Sequence, residues 1–363
     1  MKTALFTKAS LAFAARVAPG SSSIRVPRSP ATTTTQQGRT SGLVREPRLL
    51  PDIGFGESEG RSERFIGAIR KKPCRGTKVN TAFRWCALAF LAVPLTAPAA
   101  PDLVTRRMLE DAVASVVPAS GYQSRIVLGD SIVKLVREGV LEPKKLEAIY
   151  ARRAAILEDL RNALGSPSYQ PIRLTRRNAG AYVNALWPLG LANWMAANKF
   201  SPLNGPSRMT FASTGGWNLG REKNGGVYFN SFPIVRLTER QEALVVKVAR
   251  HTYRPCCNNS TFFQDCNHGS ALLGLLALGA AQGLTETELY REALAYSAFW
   301  FPSDYIETAV YFKTVRNTRW QDVNAREVMS ADFSSASGWQ KNVARQLARR
   351  GLLPAQGGAN CSA

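Results

Sequence analysis

Apolar side chains recur at helical spacing along most of the chain after residue 101, and they predict a mainly α fold. Within 102–200, the charged stretch 143–164 is predicted to be one helix whose apolar face carries Leu146, Ile149, Ile156 and Leu160. A longer, largely apolar segment covers 175–199, and Pro188 and Gly190 should kink or split it.

The stretch 270–282 contains no charged side chain and includes Gly274 and Gly279. A helix that is apolar on every side belongs in the middle of a core, and glycines let neighbouring elements pack closely against it. The sequence therefore predicts a compact helical domain around a buried apolar helix at about 268–283. Capping-box pairs mark other helix starts: Thr238 with Gln241, Thr285 with Glu288, and Ser337 with Gln340.

Residues 205–237 interrupt the helical pattern. Residues 211–220 are rich in glycine and polar turn-formers, and Asn224-Gly225-Gly226 is a strong turn signal before the strand-like 227–229. We expect a small β-hairpin or an ordered loop in this insertion.

The segment 79–100 has the three-part order of a secretory signal peptide. Basic side chains precede an uncharged apolar run, 85–95, and Ala97-Pro98-Ala99 supplies the small residues that a signal peptidase reads. The run is shorter than the roughly 20 apolar residues that a permanent membrane span needs. The sequence therefore predicts that 101–363 is the mature domain and is not an integral membrane protein after signal removal.

Residues 1–78 are predicted to lie outside the fold, as a misplaced gene start or an organelle transit peptide. Residues 1–50 hold one acidic side chain, Glu46, against eight basic ones, which is typical of transit peptides. Both interpretations predict export. The domain would reach the periplasm or the extracellular space in a bacterium, or an organelle lumen by bipartite targeting in a eukaryote.

The formal net charge of +21 is divided between these regions. Residues 1–100 hold 16 basic and 5 acidic side chains, whereas residues 101–363 hold 31 and 21. The mature domain is therefore basic enough to favour an anionic surface or a cell-wall polymer as a partner. Its basic residues are scattered and form no stripe interleaved with aromatics, so nucleic acid is not an expected partner.

Scarce reactive side chains are concentrated in residues 251–269, which we call the Cys/His segment. It holds both histidines of the chain and three of the four cysteines after residue 101: His251, Cys256, Cys257, Cys266 and His268. The fourth cysteine is Cys361. Three interpretations of the segment remain open from the sequence.

The first interpretation is a disulfide-stabilised structural or ligand-binding centre. Four cysteines in an exported domain are an even number, so two disulfides can form. Adjacent cysteines rarely bond to each other, so one of Cys256 and Cys257 would pair with Cys266 and the other with Cys361. This interpretation explains the cysteines but gives the histidines no role.

The second interpretation is a metal site. Thiolate and neutral imidazole are the usual ligands of zinc and copper. The candidate ligands are Cys256, Cys257, Cys266, His268, His251 and Asp265. Their spacing matches no known zinc finger, but the side chains can converge where the irregular chain enters a helix.

The third interpretation is a nucleophilic Cys266. A cysteine at a helix N-terminus has its thiolate stabilised by unpaired N–H groups. In this interpretation His268 or His251 acts as the base, and Gln264 donates to the oxyanion. Asp265-Cys266-Asn267-His268-Gly269 is locally similar to the papain-like and cell-wall amidase families, whose nucleophile opens a central helix. Those families place the base far along the chain on a strand, and this sequence has no such histidine.

Two further patterns are less informative. Asp304 and Glu307 are one helical turn apart and can share a face, where we expect solvated surface carboxylates. The sequence contains no Walker-type or dinucleotide-type glycine fingerprint, which argues against nucleotide-driven chemistry.

Overall fold

The computed structural model describes residues 103–352. The predicted extension 1–78, the signal-like segment 79–100 and Cys361 lie outside the described residues. None of the helices within 103–352 is long and apolar enough to cross a membrane.

The described chain is mainly α-helical, as the apolar spacing predicts. Its longer helices are α1 (Leu103–Val116), α5 (Ala179–Ala192), α6 (Glu239–His251), α7 (Asn267–Ala281), α8 (Glu286–Trp300) and α9 (Pro302–Val315). Its shorter helices are α2 (Ser131–Arg137), α3 (Pro143–Ile149), α4 (Glu158–Gly165), α10 (Ala325–Val328), α11 (Ala331–Ser334), α12 (Ala336–Trp339) and α13 (Arg345–Arg349). A π-helical turn, Gln340–Ala344, joins α12 to α13.

Helix α7 is the predicted buried apolar helix, and it lies between α5, α6 and α8. Every residue from Gly269 to Ala280 is buried. The closest packing is with α5, because a Cβ atom on Gly274 would lie 2.6 Å from the carbonyl oxygen of Leu186. Glycine at this crossing therefore lets the two backbones approach closely.

A two-stranded antiparallel sheet lies in the region for which the sequence predicts only helices. Strand β1 (Tyr122–Gly129) pairs with β2 (Ser168–Leu174). In β1, alternate side chains are buried, and these are Ser124, Ile126 and Leu128. Its backbone is fixed to α8 by Glu292, which is buried and accepts hydrogen bonds from Arg125 N–H, the Ser124 hydroxyl and the Tyr122 hydroxyl.

The prediction of one continuous helix over 143–164 is wrong, because the structure has two α-helices there. A 3-10 helix, Ala151–Leu157, separates α3 from α4, and Arg153 within it has non-helical backbone angles of φ −139° and ψ 45°. Ile149, predicted on the apolar face, is 51% exposed because the chain turns after it. Pro188, by contrast, lies inside α5 without splitting it.

Two of the three capping boxes form as predicted, and the third is displaced. The Thr238–Gln241 and Thr285–Glu288 pairs cap α6 and α8 with both reciprocal hydrogen bonds. At the third, Ser335 rather than Ser337 is the cap, because its hydroxyl accepts from the Gly338 N–H.

The insertion 205–237 is an ordered loop and contains no hairpin. Two 3-10 helices, Pro206–Thr210 and Gly225–Tyr228, replace the expected turn and strand. The Asn224 side chain accepts from Gly226 N–H and so caps the second of them. This local cap favours a helical turn where the apolar residues alone indicate a strand.

Candidate functional site

The Cys/His segment folds as a closed loop between α6 and α7, and we call residues 252–266 the cysteine loop. Thr252 and Thr261 close its base, because Thr261 N–H donates to the Thr252 carbonyl at 2.9 Å and their hydroxyls bond at 2.9 Å. Both residues are fully buried. The loop therefore connects the end of α6 to the start of α7, and the Thr252–Thr261 pair fixes its base in the core.

Three sulfur atoms meet inside this closed loop. The Sγ atoms of Cys256, Cys257 and Cys266, which we call the thiol cluster, all lie within 4.8 Å of one another. The Sγ atoms of Cys256 and Cys266 are 3.6 Å apart, and no disulfide joins any of these three residues. Cys266 is 9% exposed, whereas the other two are half-buried.

Cys266 is the N-cap residue of α7. Its extended backbone (φ −122°, ψ 165°) ends the loop, and its Sγ accepts from the N–H of Gly269 at 3.4 Å. A sulfur in this position lies at the positive end of the helix dipole. The sequence-based expectation that Cys266 opens the buried helix agrees with this geometry.

Arg254 is buried in the middle of the loop, with 1% of its surface exposed. Its Nε donates to Cys266 Sγ at 3.2 Å, its Nη1 donates to the Asn259 carbonyl at 3.0 Å, and its Nη2 pairs with Asp265 Oδ1 at 2.7 Å. Each nitrogen of the guanidinium therefore has an acceptor, as a buried charge requires.

The electrostatics of the cluster concentrate negative charge on Cys266. Hydrogen bonds from the thiols of Cys256 and Cys257, together with the Arg254 guanidinium, hold the pKa of Cys266 well below its ordinary value. The pKa of Cys256 is raised because it donates hydrogen bonds to Cys257 and Cys266. For Cys257, the hydrogen bond from Cys256 lowers the pKa, but the bond to Cys266 and burial outweigh it and raise the pKa.

The three cysteine sulfurs also change the pKa of Arg254. Burial alone opposes its charge, but the sulfurs of Cys266, Cys257 and Cys256 raise the pKa of Arg254 above its ordinary value. The cluster and the guanidinium therefore stabilise each other's charged forms.

Asp265 lies beside the cluster with both carboxylate oxygens already bonded. Oδ1 pairs with Arg254 and is 3.9 Å from Cys257 Sγ, while Oδ2 accepts from Asn259 Nδ2 at 2.7 Å. Of the two roles open to Asp265, this geometry favours orienting Arg254 over binding a metal directly.

His268 lies in the first turn of α7 but outside the group of sulfur ligands. Its ring packs 4.5 Å from that of Phe301 and 5.8 Å from that of Trp300. Its Nδ1 is inaccessible to solvent and makes no hydrogen bond within the described chain, and burial lowers the pKa of His268 to about 4. The imidazole is therefore neutral at physiological pH.

His251 does not belong to the group of sulfur ligands. His251 is exposed at the end of α6, where its Nδ1 bonds to the Lys247 carbonyl at 2.8 Å. Gln264 is fully buried, and its Oε1 accepts from the Ser270 hydroxyl at 2.8 Å.

The sequence alone assigns no charge-pairing role to Arg254 and no role to Gly269. A Cβ atom on Gly269 would lie 2.5 Å from Nη2 of Arg254, so glycine makes room for the guanidinium. One arginine in a cysteine-rich stretch close to a buried helix is the signal that could have identified this counter-charge.

The cysteine loop also caps the start of α12. The Cys257 carbonyl accepts from Ala336 N–H at 3.0 Å, and Asn258 Oδ1 accepts from Ser337 N–H at 2.8 Å. Two N–H groups that a helix start leaves without partners are thus bonded by the loop.

Access to Cys266 is narrow. Of five surface cavities in the described part of the chain, with volumes from about 280 to about 670 Å³, none is lined by the thiol cluster. His251, Ala196 and Val246 line one of these cavities, which has a volume of about 550 Å³.

Comparison of the chain with protein-family models, with curated proteins and with solved structures finds no match.

Proposed function

We propose that the thiol cluster binds a single zinc ion. The observation that carries the proposal is the convergence of Cys256, Cys257 and Cys266, whose sulfurs lie within 4.8 Å of one another. Thiolate is a preferred zinc ligand. Here three cysteine side chains, from a loop and the start of a helix, supply the sulfur ligands, and the secondary structure need not rearrange.

The spacing of the sulfurs fits one ion. With Zn–S bonds of about 2.3 Å, two sulfurs on a tetrahedral ion lie about 3.8 Å apart. The Cys256–Cys266 separation of 3.6 Å is close to that value. Three protein ligands leave one position of a tetrahedral zinc ion to water or another ligand.

Charge favours a divalent ion over a monovalent one. With Cys266 as thiolate and the other two as thiols, the cluster carries one negative charge beside Arg254. A zinc ion that replaces two thiol protons leaves three thiolates and the same net charge of −1. Cuprous copper on three thiolates would carry −2 and place a second uncompensated charge in a buried site.

A nucleophilic hydrolase receives less support from the same geometry. Cys266 is 9% exposed, and its sulfur already accepts a hydrogen bond from Arg254. The Ser270 hydroxyl donates to Gln264 Oε1, so Gln264 keeps its buried Nε2 as a donor. The His268 ring, however, packs against Phe301 and lies outside the group of sulfur ligands. A polymeric or peptide substrate would have to displace this packing to reach the sulfur.

Export of 101–363 and its attraction to an anionic surface or cell-wall polymer remain proposals drawn from the sequence. The basic composition and the signal-like segment support them. Fractionation of cells, with an antibody to the mature domain, tests export; recovery of uncleaved protein in the cytosol contradicts it.

The test of the metal proposal is a titration of the reduced, metal-free full chain with Zn²⁺ against a chromophoric chelator. We expect one ion per chain, with about two protons released per ion because thiols must ionise to bind. X-ray absorption of the loaded protein should show three sulfur ligands. A parallel Cu⁺ titration shows which ion the site prefers.

Matched variants make the result specific. Cys266→Ser and Cys256→Ser should each weaken zinc binding at least tenfold, whereas Cys361→Ser should leave it unchanged. Absence of stoichiometric binding, or binding that survives both loop substitutions, would refute the proposal.

A further inference from the structure

The thiol cluster also has the geometry of a reversible dithiol. Cys256 Sγ and Cys266 Sγ are in van der Waals contact at 3.6 Å, and an S–S bond is about 2.0 Å. Closure therefore requires a movement of about 1.6 Å. Cys256 lies in the cysteine loop and not in a regular helix, so a change of loop conformation can supply this movement.

The two sulfurs differ in the way that thiol–disulfide exchange requires. Cys256 is half-buried, whereas Cys266 is buried, so Cys256 is the more exposed of the two residues. Cys266 Sγ accepts N–H groups from Arg254 at 3.2 Å and Gly269 at 3.4 Å. Donors of this kind stabilise negative charge on sulfur, both when it attacks and when it leaves.

Cys257 is less suited to be the partner of Cys266. Its carbonyl is bonded to Ala336 N–H at the start of α12, and its Sγ lies 3.9 Å from both the Asn259 carbonyl and Asp265 Oδ1. The next residue, Asn258, is bonded to the same helix start. Cys257 and Asn258 are therefore held against α12, so a change of loop conformation moves Cys257 less readily than Cys256.

We propose that Cys256 and Cys266 form a redox-active pair that reduces small disulfides, with Cys257 remaining a thiol. Cys256 gives its thiol proton to the neighbouring Cys266 thiolate, and Cys256 Sγ then attacks one sulfur of the disulfide, breaks its S–S bond and expels the first thiolate. Cys266 gives that proton to the first thiolate, and Cys266 Sγ attacks Cys256 Sγ, forms the Cys256–Cys266 bond and expels the second thiolate. The two protein sulfurs together lose two electrons, and one disulfide becomes one thiol and one thiolate.

This activity uses the sulfurs of the proposed zinc site but does not depend on zinc. Oxidation removes two of three ligands, so the oxidised centre should not hold the ion. The reaction therefore belongs to the metal-free protein, and bound zinc should protect both sulfurs.

The test uses the reduced full chain, with chelator present, and an excess of oxidised glutathione. After alkylation, peptide mapping by mass spectrometry should show a Cys256–Cys266 crosslink and an alkylated Cys257. The Cys257→Ser variant should form the same crosslink. A Cys257–Cys266 or Cys266–Cys361 crosslink, or three alkylated sulfurs after prolonged oxidation, would overturn the proposal.

The order of attack is tested by two single variants. Cys266→Ser should accumulate a glutathione adduct on Cys256, because no second sulfur resolves it. Cys256→Ser should lose the internal crosslink and show at least tenfold slower adduct formation on Cys266. Equal adduct formation at both positions contradicts the assigned roles. Because all arms are metal-free, their failure leaves the zinc proposal untouched, and failure of zinc binding leaves this one untouched.

Discussion

Arg254 and Gly269 fit against one another at the start of α7, where the guanidinium occupies the space that a Cβ atom on residue 269 would need. The absence of a side chain on the helix thus permits a buried charge beside the sulfur of Cys266. The two residues are 15 positions apart in the sequence, but they act as one structural unit.

Gly269→Ala should therefore disturb the site more than an ordinary helix substitution. The added methyl group forces Arg254 away from Cys266, and we expect a loss of about 1–3 kcal/mol in stability, as for overpacked cores. Zinc affinity should fall with it. Denaturant unfolding and the zinc titration measure the two effects.

Gly180→Ala is the matched control. Gly180 also lies in the first turn of a buried helix, α5, but nothing lies within 4 Å of the position of its Cβ atom. Alanine should stabilise this helix by up to about 1 kcal/mol. Equal effects of the two substitutions would contradict the pairing of Arg254 with Gly269.

Asp304 and Glu307 should make stability depend on pH. The expectation of solvated carboxylates at these positions is wrong, because both are buried on α9. Burial raises the pKa of Asp304 to about 6, and burial together with the charge of Asp304 raises the pKa of Glu307 to about 7.

The sign follows from proton binding. Between the ordinary carboxyl pKa and the raised value, the folded state holds more protons than the unfolded one, so stability falls as pH rises. We expect a loss of about 2 kcal/mol per carboxyl between pH 4 and pH 8. Asp304→Asn and Glu307→Gln should each flatten the curve and be more stable than the parent at pH 8. Parallel curves from denaturant unfolding would contradict the assignment.

Glu292 should contribute strongly to stability. Glu292→Ala leaves a backbone N–H and two hydroxyls of β1 without their acceptor, and we expect a cost of about 3–5 kcal/mol in denaturant unfolding. Glu286→Gln, which removes the charge of a partly exposed ion pair with Lys247, should cost less than about 1 kcal/mol. A small effect at Glu292 would mean that β1 is held mainly by its pairing with β2.

The displaced helix cap gives a direct comparison of two serines. Ser335→Ala removes the acceptor of Gly338 N–H and should cost about 1 kcal/mol, as for other caps. Ser337 is exposed, and its contact with Asn258 uses only its backbone, so Ser337→Ala should be nearly neutral. Thermal unfolding of the two variants distinguishes the two positions.

Features that depend on nearby residues were predictable from the sequence. The uncharged stretch that becomes α7 and the capping boxes at Thr238 and Thr285 are local patterns, and the structure confirms them. The composition of 205–237 predicts an irregular segment, but its final form depends on the Asn224 side chain as well as on apolar spacing.

Features that depend on distant partners were not predictable. The Ser124 hydroxyl and the Arg125 N–H of strand β1 donate to Glu292, which lies 168 and 167 residues away, and no local sequence pattern predicts that contact. The contact of Arg254 with Cys266 forms only when the loop closes between Thr252 and Thr261, so the sequence does not show it. The three sulfurs were identified as candidates, but their convergence, and the separation of His251 from them, required the folded loop.

The caps that the cysteine loop provides to α12 tie the chemistry of the sulfurs to the C-terminal helices. Opening of the loop withdraws the Cys257 carbonyl and the Asn258 side chain from two amide groups at once. The loop and the helices after residue 336 should therefore open as one cooperative unit, with hydrogen exchange at Ala336 and Ser337 following the state of the thiol cluster. Hydrogen exchange at these two amides of α12 is therefore expected to change when the thiol cluster binds an ion or is oxidised.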